Sequence, residues 1–237
     1  MIYVGTSGYS YKDWIGPFYP EGVKSGDMLA IYSGTFNFTE INSTYYQIPN
    51  PFMFYNMQKK TEEGFVFSVK LHQSMTHSRD ASDKNYEEYI AAVDVLKQAG
   101  KLGCLVAQFP YSFHCTRANA DYMLRLKERL TDFDIVVEFR NSKWDNDKIY
   151  EFLSKNNIGY VCVDEPLLQG LPDRRSVCTS DIAYLRFHGR NYEKWWNHKE
   201  AYERYNYLYK EKELEEWKEK IKKLEGNPST PGYFPCT

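Results

Sequence analysis

A chain of 237 residues, of which 42% are hydrophobic and 17% aromatic, is long enough to bury one sizeable core or two small ones. Its formal net charge of -2 excludes a bulk positive field that would recruit nucleic acid or membrane, so such a partner would need a local basic patch. No run of about 18 apolar residues is present, and no membrane-spanning helix is predicted.

Short apolar segments alternate with stretches of helical periodicity along the whole chain. The predicted strands, in order, are 2–5, 38–42, 65–72, 102–109, 134–139, 159–165 and 182–189. The predicted helices are 27–36, 50–60, 85–100, 117–130 and 146–157, followed by a long charged helix at about 202–224. Seven strands separated by helices predict a parallel α/β sheet, and a spacing of about 25 to 35 residues suits the unit of a (β/α)₈ barrel.

Polar side chains share one face near the C-terminal end of each strand from the second to the seventh, since residues two apart lie on the same face. They include Glu40, Asn42, Ser68, Lys70, His72, Gln108, Glu138, Arg140, Asp164, Tyr184, Arg186 and His188. In an open sheet covered by helices on both faces, so many buried charges would be costly. In a barrel they meet at one mouth. We therefore predict an α/β fold of the (β/α)₈ type rather than a doubly wound sheet.

Six segments closely resemble, in order, the motifs of the YecE-like family, a domain of unknown function. They are "VGTSGYSYKDWIGPFYP", "FSVKLHQSMTH", "LGCLVAQFP", "VVEFRNSKW", "CVDEP" and "AYLRFHGRN". The resemblance covers about residues 2–190 and implies a TIM-type barrel, but it implies almost nothing about function.

The end of the chain departs from that family, which usually continues with an eighth strand and a final helix. Here "KLEGNPSTPGYFPCT" contains no apolar run suited to a buried strand. We therefore predict a single barrel domain over 1–224, a disordered or atypical tail over 225–237, and a missing or replaced eighth strand and helix.

The loop after the first strand, "GTSG", is predicted to lie at the barrel mouth. Its glycines allow close approach of the backbone to a ligand, and Thr6 and Ser7 offer hydroxyl and N–H groups to an anion. The alternative is a loop packed at the rim, with Tyr11 and Trp14 as core residues.

Glu138 and Arg140 in "VVEFRN" form the strongest candidate pair. The carboxylate is a predicted general acid or base, and the guanidinium a predicted clamp for phosphate or carboxylate. Asp164 and His188 are predicted as further proton carriers, with Glu165 expected on the opposite face from Asp164. The alternative for Glu138 and Arg140 is a structural ion pair, and for His188 a simple hydrogen-bonded role.

The remaining candidates are predicted to bind substrate rather than to react with it, and several are cationic. The complete binding set is Thr6, Ser7, Glu40, Asn42, Lys70, His72, His77, Gln108, Arg140, Arg186, Arg190 and Trp195. Trp195 and the adjacent Trp196 could stack on a base or sugar, although packing of a helix against the barrel is the more common role of such residues.

We predict no cofactor and no metal site, with a divalent metal as the less favoured alternative. The ligand types for a metal are present, but three predicted inward cations would repel a divalent ion, and no HxH, HExxH or paired-cysteine spacing occurs. The five cysteines are an odd number without CxxC spacing, which predicts reduced thiols and a cytoplasmic protein.

A mouth that balances carboxylates with Arg, Lys and His suits an anionic, polyhydroxylated ligand. The leading prediction is a barrel protein that binds a phosphate-bearing partner at the C-terminal mouth of the barrel and hydrolyses it by acid/base chemistry. That partner is a nucleic acid or a small phosphorylated ligand, namely a nucleotide or a phosphosugar. One alternative is a non-catalytic module that binds nucleic acid or a metabolite. Another is a metal-assisted sugar isomerase or a glycosidase-like enzyme. No membrane partner is predicted, and the oligomeric state is left open.

Overall fold

The computed structural model describes residues 1–224 and 232–236, and its eight strands follow one another in chain order in a closed barrel. The strands are β1 (Ile2–Ser7), β2 (Phe38–Ile41), β3 (Val66–Lys70), β4 (Leu102–Gln108), β5 (Ile135–Glu138), β6 (Gly159–Asp164), β7 (Ala183–Phe187) and β8 (Gly232–Cys236). The predicted (β/α)₈ fold class is therefore confirmed.

The described helices lie between the strands, as the sequence pattern predicts. They are α1 (Met28–Ser33), α2 (Pro51–Lys59), α3 (Gln73–Thr76), α4 (Asp83–Gln98), α5 (Arg117–Arg129), α6 (Asp147–Lys155) and α7 (Glu211–Leu224). Asn50 caps α2 by accepting from the N–H of Phe52, with Pro51 at the first helical position. Ser82 and Asn85 form a reciprocal capping box at the start of α4.

The chain divides into two compact units, Tyr3–Val106 and a second unit of Met1–Ile2 with Ala107–Thr237. We call them the N-terminal and C-terminal units. In the N-terminal unit β1 to β4 pair in parallel, and in the C-terminal unit β5 to β8 do the same. Both faces of β5, β6 and β7 are buried throughout. This is the burial expected of parallel strands.

The prediction that the eighth strand is missing is wrong. Gly232–Cys236 form β8, which pairs in parallel with β7, and the ring of Tyr233 packs 6.0 Å from that of Tyr184. Tyr233 and Phe234 are buried, so two apolar side chains suffice where a neighbouring strand supplies the hydrogen bonds. The rest of the predicted tail, 225–231 and 237, lies outside the described residues.

The predicted long helix begins later than the sequence pattern indicates. A 3₁₀ turn covers Ala201–Tyr205, and α7 begins only at Glu211. The intervening segment is held in a non-helical form by its tyrosines. Tyr207 donates its hydroxyl to Glu213, and Tyr209 donates its hydroxyl to Asp164. These tertiary contacts override the helical pattern of the segment.

Candidate functional site

The ends of β5, β6 and β7 in the C-terminal unit position the main group of candidate side chains. The register between β6 and β7 places Val163 beside Arg186 and Asp164 beside Phe187. Directly paired residues point to the same side of a sheet, and the side alternates along each strand. Glu165, two residues after Val163, therefore follows the side of Arg186, whereas Asp164 lies on the opposite side.

Five side chains meet on the Arg186 side, and we call Glu138, Arg140, Glu165, Arg186 and His188 the Glu138 cluster. Arg186 donates to Glu138 Oε2, and Arg140 Nε lies 2.7 Å from Glu138 Oε1. Arg140 Nη1 donates to Glu165 Oε2 at 3.2 Å. His188 Nε2 lies 3.4 Å from both Glu138 Oε2 and Arg140 Nη2. The sequence thus correctly predicted that Glu138, Arg140, Arg186 and His188 come together.

Burial and charge set the protonation states within this cluster. Burial opposes ionisation of Glu138, but Arg140 and Arg186 outweigh it and hold the pKa of Glu138 well below its ordinary value. The same pairing raises the pKa of Arg140 despite the cost of its burial. Burial, reinforced by the charge of Arg140, lowers the pKa of His188 to about 3. At neutral pH His188 is therefore an uncharged imidazole beside an ionised Glu138.

Glu165 is the second carboxyl of the cluster, and its pKa is shifted in the opposite direction from that of Glu138. Burial raises the pKa of Glu165 to about 8, because the attraction of Arg140 only partly offsets the loss of solvent. Within residues 1–224 and 232–236, its Oε1 is buried and has no hydrogen-bond partner. Two carboxyl groups in one cluster therefore hold opposite protonation states at pH 7, an arrangement typical of acid/base sites.

The raised pKa of Glu165 predicts that the free energy of unfolding falls as pH rises. The folded form holds the proton of Glu165 more tightly than the unfolded chain, whose ordinary value is 4.5. The stabilisation is complete below pH 4.5 and is lost as pH rises through about 8. We expect Glu165→Gln, which cannot ionise, to gain stability over the wild type by roughly 1.4 kcal/mol per pH unit within this window.

Urea denaturation of both proteins between pH 4 and pH 9 measures this gain. Glu87→Gln, at an exposed position of α4, is the matched control and should show no such trend. A stability difference for Glu165→Gln that stays constant with pH would contradict the assigned protonation state.

Asp164 belongs to a second group, the Asp164 cluster, formed by Asp164, Arg190, Tyr209, Glu216 and Trp217. Arg190 donates from Nε to Oδ1 at 2.9 Å and from Nη2 to Oδ2 at 2.7 Å. Tyr209 donates to Oδ1 at 3.0 Å, and the Trp217 indole N–H donates to Oδ2. Arg190 also reaches Glu216 Oε2 at 2.9 Å. This cluster ties α7 to the end of β6.

The expectation that Asp164 shares the face of the other strand-end polar groups is therefore wrong. Its carboxylate is fully buried and already accepts from three side chains, so Glu165 takes its place in the Glu138 cluster. Arg190, predicted to bind substrate, is likewise held in the Asp164 cluster.

The N-terminal unit contains most of the remaining strand-end candidates, including those of β1. Ser7 donates its hydroxyl to Glu40 Oε1 at 3.0 Å, and Thr6 Oγ1 lies 2.9 Å from the hydroxyl of Tyr32. Tyr11 donates its hydroxyl to the Ser7 carbonyl. A Cβ at Gly5 would overlap the Phe38 carbonyl oxygen, so this position requires glycine. The prediction that "GTSG" is a loop is wrong for Gly5, Thr6 and Ser7, which belong to β1. Their contacts favour the interpretation of this segment as a packed rim.

Lys70 and His77 both contact the ring of Tyr45, a residue that the sequence analysis did not single out. The Lys70 ammonium lies 4.6 Å from the centre of the Tyr45 ring, and the His77 ring lies 4.9 Å from it. His72 instead caps α3 by accepting from the N–H of Ser74, and burial lowers its pKa. Asn42 precedes the 3₁₀ turn Ser43–Tyr45, without a side-chain cap bond to that turn.

Gln108 and Trp195 complete the predicted set. Gln108 is the last residue of β4 and is half-buried. Trp195 is buried, and its ring packs 6.2 Å from that of Tyr205, so its position matches the packing alternative. Its neighbour Trp196 is 58% exposed. Tyr205, which also lies 5.8 Å from the His188 ring, carried no signal in the sequence beyond its tyrosine-rich surroundings.

The described residues were compared with the requirements of a metal site and of a membrane-spanning helix. Among residues 1–224 and 232–236, no group of three or more His, Cys, Asp or Glu side chains is placed to hold a metal ion. The helices described there are too short or too polar to cross a membrane.

Two sequence comparisons match nearly the whole chain. A family described as "Protein of unknown function DUF72" matches residues 3–236. The UPF0759 protein YunF of Bacillus subtilis is 30% identical, with 95% of this chain and 84% of that protein covered.

Two crystal structures show the same similarity. A DUF72 family protein from Thermotoga maritima is 38% identical with a TM-score of 0.90, covering 100% of this chain and 92% of that one. A DUF72 family protein from Enterococcus faecalis has a TM-score of 0.88 at 23% identity, over 100% of this chain and 89% of that one, and shows the fold alone. This chain therefore belongs to the DUF72 family of barrel proteins of unknown function.

Proposed function

We propose that this protein binds a phosphate-bearing ligand at the Glu138 cluster and hydrolyses it by acid catalysis. The observation that carries the proposal is the charge of the cluster at neutral pH. Its two arginines are cationic, Glu138 is anionic, and burial favours the neutral forms of His188 and Glu165. The two guanidinium groups thus share the carboxylate of Glu138. A bound anion would interact with both of them in a site where water screens little.

Arg140 is the group best placed to meet such an anion. Its side chain is 12% exposed, whereas Glu138 is fully buried and Arg186 is 3% exposed. Glu138 holds the guanidinium of Arg140 from its Nε side. The planar guanidinium can donate two parallel hydrogen bonds to phosphate oxygens. Arg186, bound to the same Glu138 carboxylate, adds a second positive charge near Arg140.

Glu165 supports the catalytic half of the proposal better than Glu138 does. Ester hydrolysis forms a bond from water oxygen to phosphorus and breaks the bond to the leaving oxygen, which then needs a proton. Glu165 holds a proton at neutral pH and contacts Arg140, so it can supply that proton and regain one from the attacking water. Glu138, predicted from sequence as the acid or base, is ionised and paired with two arginines.

Binding is tested by calorimetric titration with inorganic phosphate, glucose 6-phosphate, a nucleoside monophosphate and a single-stranded oligonucleotide. We expect Arg140→Ala to weaken every phosphate compound that binds by about tenfold or more, since a charge-assisted bidentate contact is lost. Arg117→Ala, at a 94% exposed arginine of α5, is the control and should bind as the wild type does. Equal affinities for Arg140→Ala and wild type would overturn the proposal.

Turnover is tested on the same compounds by measuring released phosphate or alcohol. We expect Glu165→Gln to lower kcat by roughly 10²–10⁴-fold, as is typical when a general acid is removed, with affinity changed by no more than a few fold. A Glu165→Gln protein with full activity would contradict the acid role.

The burial of Glu165 favours a second candidate, a non-catalytic module that recognises the same phosphate. Its carboxyl is fully buried and accepts a hydrogen bond from Arg140, which limits its access to a leaving group. In that case Arg140→Ala still weakens binding by about tenfold or more, while no phosphoester in the panel is cleaved by the wild type.

A further inference from the structure

A cavity of about 490 Å³ lies in the C-terminal unit, on the loops that follow β4, β5 and β6. Tyr111 and His114 line it from the first loop, 141–143 from the second, and Gln169 and Gly170 from the third. The volume lies within the range of roughly 300–1,000 Å³ that is typical of small-molecule sites. We call this cavity the loop pocket.

Hydrogen bonds between the three loops shape the loop pocket. The buried Asn141 donates its amide to the Tyr111 carbonyl at 3.1 Å, and the same amide nitrogen lies 3.3 Å from His114 Nδ1. The Ser142 N–H donates to the Gly170 carbonyl at 2.9 Å. The walls are therefore fixed before any ligand arrives, which lowers the entropic cost of binding.

One exposed aromatic ring, that of Tyr111, lines this pocket, and a second, that of Trp196, lies beside it. Tyr111 is 46% exposed and Trp196 is 58% exposed, and their ring centres lie 6.3 Å apart in a nearly perpendicular arrangement. Gly170 has a φ of +92°, and a Cβ there would lie 2.6 Å from the Tyr111 hydroxyl. Glycine thus lets the tyrosine ring lie against the third loop.

The loop pocket is joined to the Glu138 cluster by the chain itself. Arg140 immediately precedes Asn141 in the pocket wall, and Glu165 lies five residues before Gly170 on the same loop. The Glu138 cluster and the loop pocket thus share the two loops that follow β5 and β6. Lys143, His114 and Gln169 are polar residues that line the pocket.

We propose that the loop pocket binds the base of a nucleotide whose phosphate is held at Arg140. This inference rests on the proposed function, since it names the ligand class of that site. A flat base stacks on exposed aromatic rings whatever its identity, and the neighbouring amide and cationic groups can pair with its edge. A phosphosugar, by contrast, would leave these two rings largely uncovered.

Calorimetric titrations of the intact protein with adenosine 5′-monophosphate, ribose 5-phosphate and inorganic phosphate test the inference. We expect the nucleotide to bind about tenfold or more tightly than ribose 5-phosphate, because base stacking on an aromatic side chain strengthens binding by that order. Trp196→Ala should remove most of this advantage and leave the affinity for ribose 5-phosphate unchanged. Phe52→Ala, at a 74% exposed ring of α2, is the control and should change neither affinity.

The outcomes separate this inference from the function on which it rests. Equal affinities of the wild type for the two phosphate esters, or an unchanged nucleotide affinity in Trp196→Ala, would overturn the base-binding role and leave phosphate binding intact. If none of the three compounds binds the wild type, the proposed function fails and this inference fails with it.

Discussion

Replacing Asp164 by asparagine is expected to lower the free energy of unfolding by about 3–5 kcal/mol, because it removes one partner of a buried ion pair. The carboxylate is fully buried and accepts from Arg190, Tyr209 and Trp217. An asparagine cannot neutralise the nearly buried Arg190, and its amide group would face donors rather than acceptors. Guanidinium denaturation followed by tryptophan fluorescence measures the loss.

A matched control for this change is Asp173→Asn. Asp173 also faces an arginine, Arg175, at 3.8 Å, but its side chain is 70% exposed. An exposed pair of this kind contributes about 0–1 kcal/mol, so the control should remain near wild-type stability. A similar small loss for Asp164→Asn would show that the Asp164 cluster does not hold α7 to the end of β6.

The second large effect is expected for Glu138→Gln. Without the carboxylate charge of Glu138, the buried Arg140 and Arg186 repel each other. We therefore expect the free energy of unfolding to fall by about 3–5 kcal/mol at neutral pH. The low pKa of Glu138 in the folded state means that this carboxylate stabilises the fold above its ordinary pKa. That contribution is lost as pH falls through the folded value. The difference between wild type and variant should therefore shrink in acid.

The melting temperature of Glu138→Gln in the presence of inorganic phosphate is a more specific test of the cluster. If the cluster is an anion site, phosphate replaces part of the missing negative charge and raises the melting temperature of Glu138→Gln more than that of the wild type. Glu151→Gln removes a 66% exposed partner of Lys155 and should respond to phosphate as the wild type does. An equal response of Glu138→Gln and wild type would contradict anion binding beside the arginines.

The fold and half of the candidate site were predictable because each rests on a local pattern. The rhythm of strands and helices predicts the barrel, and the alternation in "VVEFR" and "YLRFH" predicts that Glu138, Arg140, Arg186 and His188 share a side. Alternation along one strand defines its two sides, but it identifies the inner side only where one side is polar and the other apolar.

That condition fails for β6, and the choice between Asp164 and Glu165 fails with it. In "YVCVDE" both alternate sets of positions carry uncharged side chains until the final Asp164 and Glu165, so the segment gives no hydrophobic contrast between its two sides. Asp164 is satisfied by Tyr209 and Trp217, which lie 45 and 53 residues further along the chain. No local pattern reports such contacts. The five residues of β8 were missed for a related reason, since their stability as a strand comes from pairing with β7.

The most direct test of the account is an NMR titration of the arginine Nε–Hε signals with inorganic phosphate at pH 7. Arg140→Lys and Arg186→Lys assign the two signals of the Glu138 cluster. We expect these signals to shift and saturate together in the wild type, and the shift of the Arg186 signal to be lost in Arg140→Lys. Saturating shifts confined to other arginines, with both cluster signals unmoved, would contradict phosphate binding at Glu138, Arg140 and Arg186.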